Sequence, residues 1–499
     1  MSEPPAPLPA RASHRGDVLA LLALALVARL GVVAWAGGGG MPGDAFFYRR
    51  LAERIAEGHG STWAWPDGAV TAAAHYPVGW PAALAAFDRV VGTIAGWDPG
   101  DAIRHPWAPQ AFAALVSALA VVPIHALVAR AGGRRVAAIA GALVALHPGL
   151  VFYAPALMSE GPTATLLALA AWAAAAARDA TGARRWALVV AVGAVGGLAA
   201  LVRPQSIVLA PAFAAIALAG AARAARPSVP WRRAAAGGAT ALVVAAVVCA
   251  PWIARNCQAM GRCGLSFNGG WNLLIGSEPG GDGGWAEVQV PPACREVWDE
   301  AGKDACFGRA ARARIAADPG RFLRLAPRKL AATFDYAGAG PWWLAESRPD
   351  RVGSTAKTVM AVVETVFERL LLVACAVAVA RARPRRAVGR FAVVVAIVAA
   401  LQVHAWIAFL ALTVAIASLG LRRRPLAFPA TGLAILATVV VHAAFFGAGR
   451  YQLVLFPLLA AVGALAFAPR SALGAPEEGA VDAPGQAGSA GEGPIAAPI

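Results

Sequence analysis

The chain has 499 residues, of which 59% are hydrophobic and 14% charged, and its mean hydropathy is +0.59. That composition excludes an ordinary soluble domain, and its apolar runs of roughly 17–25 residues, long enough to cross about 30 Å of hydrocarbon, mark a multi-span membrane protein. The formal net charge of +16 does not signal nucleic acid, because nearly all the cations are Arg, lie mostly at the ends of apolar runs, and have no basic-aromatic face beside them.

In chain order, Met1–Gly16 is Pro-rich and basic, and "DVLALLALALVARLGVVAWAG" follows it. With "AWA" at Ala34–Ala36 this run is open to reading as a signal peptide. Its length favours an uncleaved first span, and either way the next residues are expected outside. Spans are expected at about 18–37, 109–130, 136–155, 162–178, 186–201, 205–222, 234–254, 358–380, 390–403, 405–420, 426–446 and 450–468. The basic connections are Arg130–Arg135, Arg178–Arg185, Arg223–Arg233, Arg381–Arg390 and Arg422–Arg424. Short Arg-rich loops stay cytoplasmic, and all five do so when 186–222 and 390–420 are hairpins, the second a tilted or re-entrant pair.

The domain organisation follows from that topology. Residues 1–17 are a cytoplasmic segment, and 18–254 a transmembrane module that includes an outer loop at 38–108. Residues 255–357 form an outer loop domain, 358–468 the C-terminal transmembrane helices, and 469–499 a disordered cytoplasmic tail. Cys257, Cys263, Cys294 and Cys306 lie in the second outer segment, where three pairings are open. Short local bridges, 257–263 and 294–306, are expected. No His stands with them at zinc-site spacing, and Cys249 and Cys375 fall in spans as packing residues.

On a helical wheel over Asp44–Glu57, Phe47, Tyr48, Leu51, Ala52 and Ile55 share one face. Arg49, Arg50, Glu53, Arg54 and Glu57 share the other, and Gly58 and Gly60 end the helix. This reads as an interfacial helix, apolar side down, with Asp44 at its head on the apolar side. An N-cap explains a lone Asp there equally well. Other stretches add ionisable groups at the same boundary: "AHYPVGWPAALAAF" with His75, "MSEGPTATLLALAA" with Glu160 and "LVRPQSIVLAP" with Arg203. "APWIARNCQAMGRCGLSFNGGWNLLIGS" carries Arg255, Asn256 and Asn272, and "GAGRYQLVLFPLL" carries Arg450 and Tyr451. Each has a plainer reading: Glu160 as a helix cap, Arg203 and Arg255 as headgroup anchors, His75 and the two Asn as structural hydrogen-bonders. Trp80, Trp252 and Trp271 read as an interfacial aromatic belt, and the basic helices of 307–334 as a solvated face. Ionisable groups at a bilayer boundary are costly unless paired or used, and Arg suits phosphate oxygens. Two carboxylates and three guanidinium groups are therefore expected around one outward-facing cavity.

In their order these stretches resemble the C-type (GT-C) glycosyltransferases that use polyprenyl-phosphate-linked sugars, of the protein O-mannosyltransferase and lipid A aminoarabinose transferase type. The likeness covers roughly residues 18–468. It rests on an Asp after the first span with "Y..LA..I..G.G" behind it, then "YPVGWPAALA", "SEGP", "VRP", "PWIARN", "GGWNLLIGS" and "RYQLVLFP". The resemblance implies an all-α polytopic fold, a GT-C-like bundle of about 12 transmembrane helices with periplasmic juxtamembrane helices and a periplasmic loop domain. It implies a bacterial inner-membrane protein with both termini cytoplasmic and the site periplasmic. Asp44 would be general base towards a lipid, glycan or protein hydroxyl, with inversion at the anomeric carbon. Ala45 stands where many relatives carry a second acid, so Glu160 would supply that carboxylate. Arg203, Arg255, Arg450 and Tyr451 would bind the donor phosphate, and Tyr48, His75, Asn256 and Asn272 the substrates. Two such carboxylates are able to hold a divalent cation, Mg2+ or Mn2+, although the reaction does not require one. Membrane lipids are expected partners and nucleic acid is not. The rival readings are a transporter or flippase of lipid-linked sugars and a polymerase or ligase of lipid-linked glycans.

Overall fold

The computed structural model describes residues 11–97, 105–220, 230–383, 387–420 and 424–474. The tail beyond 474 and parts of three basic connections (221–229, 384–386 and 421–423) lie outside the described residues. The chain runs α1 (Arg11–Ala36), α2 (Asp44–Ala56), a hairpin of β1 (Thr62–Ala64) and β2 (Val70–Ala72), α3 (Gly79–Ala95), α4 (Trp107–Ala118) and α5 (Val121–Ala145). It continues with α6 (Pro148–Phe152), α7 (Glu160–Asp179), α8 (Gly182–Val202), α9 (Leu209–Gly220) and α10 (Pro230–Met260). Residues 255–357 hold α11 (Gly269–Gly276), α12 (Glu300–Ala317), α13 (Pro319–Phe334) and α14 (Ala339–Ser347). The last helices are α15 (Ser354–Ala382), α16 (Ala387–Val403), α17 (Ala405–Ala417), α18 (Ala427–Ala444) and α19 (Phe456–Ala464).

Helices stand at every expected span. Among the described residues six stretches are long and apolar enough to cross a membrane: His14–Ala36, Trp107–Ala145, Gly182–Val202, Trp231–Met260, Ala427–Ala444 and Gly449–Phe467. Pro204–Gly220, Val388–Val403 and Ala405–Ala417 are shorter apolar helices. α5 is broken inside "RAGGRR" at Gly133, whose φ of 76° favours a residue without a Cβ. Small residues let helices close on one another, as is usual between apolar helices in lipid. A Cβ on Gly193 of α8 would meet the Ala241 carbonyl of α10 at 2.6 Å, and one on Gly197 would meet that of Ala245 at 2.9 Å. α19 lies at the centre of the bundle, every residue from Phe456 to Ala464 buried.

The segments 38–97 and 255–357 interlock. β1 pairs with β2 antiparallel, Trp63 opposite Thr71. The expected disulfides are formed, Cys257–Cys263 after α10 and Cys294–Cys306 onto α12, and Cys249 and Cys375 are free and buried. α2 departs from the simple wheel. Tyr48, Leu51 and Ala52 are buried as expected, but so are Arg49 and Glu53, while Phe46 and Phe47 are exposed. The cause is α3: its Asp88 lies 2.5 Å from Arg49, which also pairs with Glu53 at 3.0 Å. A wheel reports where polar residues lie, not whether a neighbouring helix brings a partner to them.

Candidate active site

Four chain turns, far apart in sequence, deliver the ionisable groups. Asp44 is the first residue of α2, reached through Gly43 at φ 56°. That glycine also makes room, because a Cβ there would lie 2.9 Å from the Trp343 ring. Glu160 opens α7 ahead of Pro162, in the first turn where Pro suits a helix start. Arg203 ends α8 in extended backbone (φ −143°, ψ 106°), as a residue before Pro must. Arg450 sits in the 3-10 turn Gly449–Leu455 that leads into α19.

These groups converge. Arg450 Nη2 lies 2.7 Å from Asp44 Oδ2, and Arg450 Nε lies 3.7 Å from Glu160 Oε1. Arg203 Nη1 donates to the same Glu160 Oε1 at 2.7 Å and to Ser159 Oγ at 3.2 Å. Tyr153 donates its hydroxyl to Glu160 Oε2 at 2.9 Å, and Tyr76 donates to Asp44 Oδ1 at 3.0 Å. Both guanidinium groups lie over the Tyr451 ring, at 5.2 and 5.1 Å, and Arg450 also lies over Trp343 at 5.3 Å. Tyr48 donates to Ser159 Oγ at 3.3 Å. The Asp44 carboxylate thus faces Arg450 and Tyr76, and makes no capping bond to its own helix among the described residues.

Glu160 is fully buried, and the Arg450 side chain is 15% exposed. Charges so far from water persist only when paired, and here two carboxylates meet two guanidinium groups. Burial opposes ionisation of Asp44, but Arg450, the Tyr76 hydroxyl and His75 outweigh it and hold the carboxyl below its usual range. Burial, followed by the Asp44 charge, pushes the Tyr76 phenol up, so it stays a donor. Among the described residues no three His, Cys, Asp or Glu side chains converge as cation ligands. Asp44 and Glu160 face guanidinium and phenol donors, a lining that suits an anion better than a resident cation.

Other expected site residues lie elsewhere or do other work. Arg255 makes other contacts: its donors go to the carbonyls of Ala73 and Ser61 and to Asn256 Oδ1, clamping α10 to the hairpin. Asn256 is buried and donates to the Gly264 carbonyl at 2.8 Å, just outside the loop that the Cys257–Cys263 bridge closes. Asn272 is half-buried within α11. His75 lies edge-on to Tyr76 at 4.8 Å, and its backbone N–H donates to Glu300 at 2.7 Å. Trp80 is not in an aromatic belt. It is 1% exposed and donates to the carbonyl of Leu157 at 2.8 Å. Leu157 takes φ 55°, a conformation costly for Leu, two residues before Ser159. Trp252 donates to the Leu265 carbonyl, and Trp271 packs on Phe307.

Of five further groups, Tyr153, Trp343 and His442 lie in no quoted motif, while Tyr76 and Ser159 stand within "YPVGWPAALA" and "SEGP". Tyr76, Tyr153, Ser159, Trp343 and His442 reach the site only through tertiary packing. His442, on α18, stacks on Tyr451 at 4.1 Å between ring centroids, 13° between planes. A cleft starts at Arg203, Tyr451 and His442 and runs between α7, α9 and α18 along Leu167, Leu209, Ala437 and Val441.

A family model described as dolichyl-phosphate-mannose-protein mannosyltransferase matches residues 103–253, the part that holds Glu160 and Arg203. This is the likeness that the motifs carry. Among solved structures the chain aligns with the archaeal oligosaccharyltransferase AglB from Archaeoglobus fulgidus, in complex with an inhibitory peptide and a dolichol-phosphate. The identity is 17%, with 91% of this chain and 50% of that chain covered and a TM-score of 0.45. It also aligns with ArnT from Cupriavidus metallidurans bound to undecaprenyl phosphate, at 16% identity, with 90% and 77% covered and a TM-score of 0.38. The chain spans about half the length of the AglB chains it matches. No curated protein sequence matches it.

Proposed function

We propose that the protein is an inverting membrane glycosyltransferase that moves a sugar from a polyprenyl-phosphate donor to a hydroxyl of a lipid, glycan or protein acceptor. The observation that carries this reading is one chamber in which Arg203 and Arg450 meet Asp44 and Glu160 at the head of an apolar cleft. Phosphate suits the guanidinium pair, and a polyprenyl chain suits the cleft.

The donor phosphate draws Arg450 away from Asp44. The carboxylate then loses its nearest cation and becomes a stronger base. Asp44 takes the proton of the acceptor hydroxyl, the oxygen bonds to the anomeric carbon, and the bond from that carbon to the phosphate oxygen breaks. The leaving phosphate keeps the electron pair and gains a second negative charge beside Arg203 and Arg450. Glu160 holds Arg203 in place through the departure. Fixed donors aimed at developing charge supply several kcal/mol, about 3 each in well-studied sites. A positioned base adds about 10²–10⁴ in rate. In this reading the chamber opens on the periplasmic side, about 12 spans carry it, and both termini are cytoplasmic.

The test is sugar release from synthetic polyprenyl-phosphate donors by the purified protein, beside Asp44→Asn. The variant is expected to fold and bind donor but lose transfer. Unchanged turnover would remove Asp44 from the mechanism.

A further inference from the structure

The resting chamber is already balanced, two guanidinium groups against two carboxylates. A donor phosphodiester brings one more negative charge into a site largely closed to water. After transfer Asp44 is neutral, but the lipid phosphate is doubly charged, so one negative charge is again unmatched. Leaving an unpaired charge buried is costly. The chamber therefore needs one further cation that arrives with the donor.

His442 fits that requirement. It is 6% exposed and lines the same cleft as Arg203 and Tyr451. Its Nδ1 lies 3.0 Å from the Phe446 carbonyl. A carbonyl only accepts, so Nδ1 carries a proton and Nε2 is the nitrogen left to take another. Nε2 has no partner among the described residues. The stack on Tyr451, whose ring lies under both guanidinium groups, holds the imidazole beside them.

Few other charges face it. Arg450 and Tyr451 come from the Gly449–Leu455 turn, and Arg203 from the end of α8. From α13, Lys329 places Nζ on the Ala444 carbonyl at the end of the same helix. The parts of α9, α17, α19 and Pro204–Val208 packed on α18 carry no charged side chain. His75, the other nearby imidazole, lies against Tyr76 on the Asp44 side.

We propose that His442 is the third cation of the donor-phosphate site: Nε2 takes a proton as the lipid phosphate enters, and donates it in a hydrogen bond to a non-bridging phosphate oxygen beside Arg203 and Arg450. The proton stays on His442 through the transfer, and the hydrogen bond strengthens as the phosphate gains its second charge. This rests on the glycosyltransferase reading above.

The experiment is calorimetric binding of undecaprenyl methyl phosphodiester to the full chain in lipid nanodiscs. That phosphate has no second ionisation to confuse the proton count. Binding is measured from about pH 5.5 to 8.5, where an imidazole titrates, in buffers of different ionisation enthalpy. Wild type is expected to take up one proton per bound lipid, with affinity falling about tenfold per pH unit once the imidazole loses its proton. His442→Asn keeps a donor for the Phe446 carbonyl, and His442→Gln keeps a polar atom towards the cleft. Both are expected to bind without proton uptake and with a flat pH profile, weaker than wild type at low pH by about tenfold for each pH unit over which the wild-type affinity falls. His75→Gln is expected to leave the proton count at one. Thermal unfolding of each variant separates loss of fold from loss of the cation. Binding by wild type without proton uptake, or undiminished uptake in folded His442→Asn, overturns this proposal and spares the glycosyltransferase reading. No binding of the phosphodiester by wild type overturns both.

Discussion

α2 carries two buried charge clusters a turn or so apart, and they differ in kind. At its head Asp44 meets Arg450, and through it Glu160 and Arg203, groups drawn from four separated turns. Further along, Arg49 meets Glu53 of its own helix and Asp88 of α3. Both pair opposite charges, but the Arg49 pairs are almost fully buried whereas Asp44 keeps 29% of its side chain exposed. The first adjoins a cleft through Arg203 and Tyr451, and there two phenols hold the carboxylates in place. In the second, Arg49 Nη2 has no acceptor and the groups are closed in. Burial and pairing alone therefore do not mark a site. An opening for a ligand and convergence from distant elements do.

The largest expected contrast is in turnover. Asp44→Asn should cost about 10²–10⁴ in transfer with the fold intact, whereas Asp88→Asn should leave transfer per folded molecule near wild type; steady-state kinetics on detergent-purified protein compares them. Next comes stability. Removing Asp88 leaves the buried Arg49 guanidinium with Glu53 alone, and Asp88→Ala should lose about 3 kcal/mol in denaturant unfolding. An equal loss of transfer in folded Asp88→Ala would dissolve the distinction between the two clusters.

Acid separates them by sign. The Asp44 carboxyl lies below its usual range, so the stability it contributes is present above the ordinary aspartate value of 3.8 and is lost as pH falls through the lower folded value. Burial pushes Asp88 and Glu53 up despite Arg49. Their contribution is present at low pH and is lost as pH rises through their raised folded values. Thermal scans from about pH 3 to 6 should show Asp44→Asn less sensitive to acid than wild type, and Asp88→Asn without the gain on acidification. The smallest effect is expected at Arg255. Arg255→Gln should leave donor affinity within about twofold while loosening the hairpin by about 1–2 kcal/mol. A tenfold loss of donor affinity would return Arg255 to the phosphate site.

Much of the fold was legible because lipid imposes a simple rule: a span must be a long apolar helix, and its charged ends show where it stops. Pro and Gly then placed the turns, and the close spacing of the cysteines favoured the local bridges. Asp44, Glu160, Arg203 and Arg450 were legible as ionisable groups at apolar boundaries. Arg255 looked the same by that criterion and went to backbone carbonyls instead, because the hairpin beside it has carbonyls to satisfy. Arg49 and Glu53 were placed on a wet face because the wheel of α2 contains no information about Asp88.

By itself the sequence determined a polytopic helical chain and which charged residues stand at the ends of its apolar runs, since each depends on local composition and periodicity. The tertiary structure alone decided which of those charges meet, that Tyr76 and Tyr153 hold the carboxylates, and that His442 faces the cleft. Such contacts join residues tens to hundreds of positions apart, and their distances depend on helix packing that no local pattern encodes.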